Sequence, residues 1–278
     1  MLGQRFPAEA PPLFASDAAL RVALIAMIAG AAVLAVHCFI AAIHTRSLIP
    51  IFAMAGGVVA LPIEPFWDVN VLFTFATNSH PIAFEAFGRD IPVYLAFIYP
   101  LFIGWGSFLT YSMICRGATA RQLVWIPVSF AIFDLVIEII GCKANLWAYY
   151  GGQTFTIFGW PLAFGILNGM IPLIGGAAFT AVRSVPFGKF KWFAYLFVVP
   201  SAYAGIYALA GWPVWWTLNA ELPRFVDWVA GVVLILICVV VARLVLWALD
   251  NRAQNCVQEG ALPLMVRSQV QHRADSAG

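Results

Sequence analysis

The chain has 278 residues, 63% of them hydrophobic and 10% charged, with a net charge of +2. A soluble domain carries about 25% charged residues, so the composition excludes an ordinary water-soluble core and points to a polytopic membrane protein. The small net charge gives no basis for binding nucleic acid. The chain reads as one membrane domain over 18–250, between an N-terminal tail (1–17) and a flexible polar C-terminal tail (251–278).

A spanning helix needs about 20 mostly apolar residues. Seven such stretches occur in chain order, at 18–43, 48–68, 91–115, 122–141, 157–182, 192–211 and 225–249. The segment before the first has one early basic residue and no short apolar core with a small-residue cleavage site, so it reads as a tail rather than a cleaved signal. The basic residues divide between the two ends of this alternation. Arg46, Arg116, Arg121, Arg183, Lys189, Lys191 and the tail arginines fall on one side; Arg5, Arg89, Lys143 and Arg224 fall on the other. The richer side is the cytoplasmic one. The prediction is an all-α bundle of seven transmembrane helices in the cell membrane, N-terminus outside and C-terminus inside.

The second stretch ends in "LPIEPFWDVN", which carries Glu64 and Asp68 beside Pro62, Pro65 and Trp67. Prolines here break the helix, and broken helices at membrane depth line cavities rather than lipid. The fourth stretch carries Asp134 and Glu138 in "FDLVIE". In each pair the acids are four residues apart and share a helix face. Acids inside a membrane cost on the order of 3 kcal/mol each. Two nearby carboxylates hold a shared proton and supply an acid and a base together. Glu64, Asp68, Asp134 and Glu138 are therefore the candidate catalytic residues. Both pairs lie near the outward ends of helices running the same way, so they are expected to face one cavity. The plainer alternatives are pairing of Asp134 or Glu138 with Lys143 or Arg121, or each pair facing the aqueous loops separately.

The loop "NLWAYYGGQTF" is aromatic and glycine-rich. Trp147 fits an interfacial aromatic belt. Tyr149, Tyr150 and Gln153 fit a lid that offers hydroxyl and amide donors. Trp67, Trp147, Tyr149, Phe155 and Trp160 are candidates for an aromatic wall, and Tyr94 flanks the third helix. Asn168, polar in an apolar helix, is expected to make an interhelical hydrogen bond or to meet a carboxylate or substrate.

Other chemistry has no sequence basis. The cysteines are scattered, and no histidine spacing fits a metal. No glycine-rich nucleotide loop or GxSxG elbow occurs. The seventh helix has no lysine for a retinal Schiff base. No cofactor and no metal are expected.

"EPFWD", "FGRDIPVYLAFIYPLFIG", "FDLVIE" and "YYGGQTF…FGWPL…N", spanning roughly 60–170, together resemble the AveC-like spirocyclase family of membrane proteins. The resemblance implies spiroketal closure with dehydration on a lipophilic natural-product intermediate, an isomerase- or lyase-type reaction. A looser similarity links the chain to small membrane-bound terpene cyclases, which act on a prenyl or epoxy-prenyl chain. A non-enzymatic carrier of a lipophilic metabolite is the alternative from another class. In each case the partners are a lipophilic small molecule and membrane lipid.

Overall fold

The computed structural model describes residues 9–186, 188–220 and 222–258, with side chains through residue 250. Among the described residues, seven helices are long and apolar enough to cross a membrane: α1 (Asp17–Thr45), α2 (Ile49–Asn70), α3 (Leu95–Cys115), α4 (Ala120–Lys143), α5 (Leu162–Ser184), α6 (Gly188–Leu218) and α7 (Arg224–Asp250). The expected stretches match these helices, with the largest shifts at the start of α5 and the end of α6. Helix α7 runs on as far as Gln258. The first eight residues of the expected C-terminal tail are therefore helical; the rest of that tail, and residues 1–8 of the N-terminal one, lie outside the described residues.

Helix α5 is the central element. It packs against α3, α4, α6 and α7, and 67% of its apolar window is buried, against 17% for α1. Small residues permit this. A Cβ on Gly175 would sit 2.2 Å from Ser107 Oγ, and one on Gly176 would sit 2.4 Å from Thr110 Cβ. Only glycine lets α5 approach α3 so closely, as small-residue packing between membrane helices requires.

The outer faces of the bundle are apolar. On α4, Ile132, Phe133, Val136 and Ile140 are exposed, while Phe130, Asp134 and Gly141 are buried on the opposite face. This is the 3.6-residue period with its usual sense inverted. On α7, Val229, Val232, Leu236 and Val240 are likewise exposed. Contiguous apolar surface on this scale needs an apolar environment.

The two long loops depart from an all-helical expectation in detail. They contain six short strands: β1 (Phe73–Phe75), β2 (Ile82–Ala86), β3 (Arg89–Pro92), β4 (Trp147–Tyr149), β5 (Thr156–Ile157) and β6 (Trp160–Pro161), paired antiparallel as β1–β4, β2–β3 and β5–β6. The β2–β3 hairpin turns at Phe87 and Gly88, both with positive φ, the backbone that a two-residue hairpin loop demands. The β1–β4 ladder joins the α2–α3 loop to the α4–α5 loop and covers one end of the bundle. The segment before α1 is fastened to the same end. Thr77 N–H donates to Leu13 O at 2.7 Å, and Asn78 exchanges two hydrogen bonds with the Ala15 backbone. Leu13 to Ala15 are thus part of the cover, not a free tail.

Candidate functional site

The prolines of "LPIEPFWDVN" tighten α2 without breaking its course. A 3₁₀ turn at Leu61–Ile63 precedes a last α-helical segment at Glu64–Asn70, with Pro65 in its first turn. Proline is tolerated there because that position's N–H has no helical acceptor to lose. The expected break is therefore a local change of pitch. It leaves Glu64, Trp67 and Asp68 on the wall of one cavity, together with Asp134 and Glu138 from α4. All four candidate acids share this cavity, at the end of the bundle nearest the β1–β4 ladder.

Each acid has its own surroundings. Glu64 Oε2 accepts the Tyr203 hydroxyl at 2.6 Å and the Tyr99 hydroxyl as well. The two phenol oxygens are 3.0 Å apart. Asp134 Oδ2 accepts Asn168 Nδ2–H at 2.9 Å, and Asn168 Oδ1 in turn accepts the Tyr207 hydroxyl at 2.5 Å. Glu138 Oε2 accepts Trp147 Nε1–H at 2.7 Å. Asp68 is 2% exposed, and its Oδ2 has no hydrogen-bond partner. Among the described residues, no lysine or arginine lines the cavity. The alternative pairing with Lys143 is not formed; its ammonium lies over the Phe158 ring, 5.2 Å from the centroid. Burial of Asp68 and Asp134 also sets aside separate solvation in the loop layer.

Tyrosines supply much of the donor set, and two wide helical turns adjoin them. Helix α3 passes through a π turn at Pro100–Gly104, immediately after Tyr99. Pro100 has no N–H to give, and its ring crowds the carbonyl four residues back. A turn with one extra residue relieves that clash. Helix α6 has a second π turn at Tyr207–Gly211. Such turns rotate the following face and are frequent at functional sites. Here they sit beside the cavity from both sides.

The cover completes the enclosure. In the β1–β4 register, Phe73 faces Tyr149 and Phe75 faces Trp147. Side chains two apart on a strand point the same way, so all four rings line the cavity. Tyr149 also stacks on Phe164 with centroids 5.8 Å apart. Burial, then the nearby Glu138 charge, holds the Tyr149 phenol well above its ordinary pKa.

Of the residues expected at the site, Glu64, Trp67, Asp68, Asp134, Glu138, Trp147, Tyr149 and Asn168 line the cavity, and five others do not. Tyr94 lies behind Trp147, its hydroxyl 3.4 Å from Leu146 O. Tyr150 accepts a 2.6 Å hydrogen bond from Arg89 Nη2 on the outer side of the cover. Gln153 donates to Val71 O and Tyr150 O, tying the two loops together. Phe155 packs edge-on to Trp228 of α7. Trp160 is fully buried beside Gly165. The structure thus corrects the expected lid and wall: Tyr94, Tyr150, Gln153, Phe155 and Trp160 build the cover and the core around the site. Tyr203 and Tyr207 were not anticipated as site residues, although two tyrosines four apart in an apolar helix are a readable signal.

The cavity encloses about 100 Å³. That is the same order as the ~150 Å³ apolar cavity that takes one benzene, so the fragment it accommodates is no larger than one small ring. Nine aromatic residues line it, giving faces that tolerate positive charge alongside carboxylates able to give or take protons. Among the described residues, no three His, Cys, Asp or Glu side chains are grouped to hold a metal ion. No protein-family model, curated protein or solved structure matches the chain.

Proposed function

We propose that the chain is a multi-pass cell-membrane cyclase, with its N-terminus outside, that works by acid–base catalysis on a lipophilic intermediate. The observation that carries this reading is the gathering of four acids from two helices around one aromatic-walled cavity without a single cationic side chain. Retaining such acids in an apolar bundle is costly and marks function by default.

Spiroketal closure fits these groups. An acid protonates the hydroxyl of a hemiketal, and the C–O bond breaks with loss of water. The resulting oxocarbenium ion is held among aromatic faces until a second hydroxyl attacks and gives its proton to a carboxylate. The small cavity requires that only the reacting segment lie between the acids, with the rest of the chain outside. The aromatic wall also favours a second reading, cyclisation of a prenyl or epoxy-prenyl chain, in which the same acids start and quench a carbocation.

The test incubates purified protein in detergent with a linear dihydroxyketone, or with an epoxy-prenyl substrate, and no cofactor. Product with one water fewer than the dihydroxyketone supports spirocyclisation; an isomeric product from the prenyl chain supports the second reading. Glu64→Gln is expected to lower turnover at least about 100-fold. Unchanged turnover removes Glu64 from the mechanism, and tight binding of both substrates without product favours a carrier.

A further inference from the structure

The hydrogen bonds around the cavity are unevenly distributed. Glu64, Asp134 and Glu138 each have an oxygen engaged by a protein donor. Two adjacent residues on the wall do not follow this pattern. Asp68 Oδ2 and Trp67 Nε1 are both buried without a hydrogen-bond partner, in residues 2% and 5% exposed. Trp67 cannot turn away easily, because its ring packs 4.6 Å from Trp215 and 5.3 Å from Tyr207. An indole N–H can only donate, whereas a carboxylate oxygen accepts. Leaving such groups unpaired in a dry site costs about 1–3 kcal/mol each.

We propose that Trp67 and Asp68 form a recognition pair for one hydroxyl group on an otherwise apolar ligand. This rests on the reading of the cavity as a substrate site. A hydroxyl is the smallest group that answers both atoms, since its lone pair takes the indole N–H and its hydrogen goes to Asp68 Oδ2. A hydrocarbon answers neither. An ammonium group pairs with the carboxylate and leaves the indole N–H orphaned. A plain ether or ketone takes the indole and offers the carboxylate nothing. The volume of about 100 Å³ sets the size of the hydroxyl-bearing fragment at a handful of heavy atoms. The pair therefore selects alcohols or hemiketals over simple polyenes, and it fixes the oxygen-bearing carbon among the acids.

The experiment uses the full chain in detergent, with cyclopentanol and its near-isostere methylcyclopentane as probes. Binding is read by ligand-observed NMR against empty micelles. Cyclopentanol is expected to bind at least about tenfold more tightly, the loss from one orphaned partner, and Trp67→Phe and Asp68→Leu should each reduce that preference. Equal binding of the two probes overturns the proposal. So does a preference that survives in both variants, which would assign the hydroxyl to the tyrosines and leave the two atoms to water. Should both variants fail to fold, Tyr203→Phe and Tyr207→Phe are compared with wild type instead: an alcohol preference retained in both supports the pair, and one lost in either overturns it. Neither probe can cyclise, so the result is independent of turnover: alcohol selectivity here, together with no product in the separate incubation of the linear substrates, would defeat the cyclase reading and leave the hydroxyl site standing.

Discussion

Asn168 links Asp134 of α4 to Tyr207 of α6, and replacing it with leucine measures what that link contributes. The side chain accepts from Tyr207 at 2.5 Å and donates to Asp134 at 2.9 Å. Leucine has nearly the same volume and neither function. Interhelical hydrogen bonds in membrane proteins average about 0.6 kcal/mol and reach about 1.7. Two of them give roughly 1–3 kcal/mol for Asn168→Leu, with the upper half of that range favoured because Asp134 is 7% exposed and has little water to turn to. Tyr207→Phe removes one bond and should cost about 0.6–1.7 kcal/mol. In the double variant the phenylalanine leaves no hydroxyl in search of an acceptor, so its cost should fall below the sum of the singles by at least about 0.5 kcal/mol. Reversible unfolding in mixed micelles, followed by circular dichroism, gives all three values. Additivity within about 0.3 kcal/mol would show that the Tyr207–Asn168 bond carries no energy of its own.

Three further outcomes follow from other parts of the molecule. Gly175→Val should lower stability by about 1–3 kcal/mol through overpacking against Ser107, whereas Gly205→Ala, with open space around its Cβ, should be neutral or mildly stabilising; equal melting temperatures for the two would refute the α3–α5 packing argument. The raised pKa of Tyr149 favours its protonated form in the folded state. Its contribution is therefore intact below the ordinary phenol value of about 10 and is lost as pH climbs above it. A wild-type stability curve that falls no more steeply than that of Tyr149→Phe above about pH 10 would contradict this. For the proposed topology, Arg116→Cys and Phe158→Cys, introduced singly into a chain stripped of its natural cysteines, should react with an impermeant reagent from opposite sides of the membrane, and labelling from one side only would exclude seven crossings.

How far the sequence reached can be judged helix by helix. The spans were legible because the thickness of a bilayer is a local constraint, written as uninterrupted apolar length. The two acid pairs were legible for the same reason: a charge in such a run stands out, and spacing by four puts both members on one face. Their convergence on one cavity followed from direction and depth. What surrounds them was not legible in this way. Tyr99 and Tyr207 reach the cavity beside π turns, and an extra residue in a helical turn shifts the face by an amount that the regular 3.6 period does not foresee. The lid residues were misplaced because strand register decides them. Pairing Phe73 with Tyr149 turns Tyr149 inward and its neighbour Tyr150 outward, and a slip of one residue would have reversed the two. Asn168 marks the boundary most clearly. Its polarity in an apolar helix announced an interhelical bond, but that bond joins α5 to α4 and α6 at once. Only the packing of α5 at the centre of the bundle, close enough to α4 that a Cβ on Gly169 would sit 2.3 Å from Pro127 O, brings Asp134 and Tyr207 within reach of the same amide.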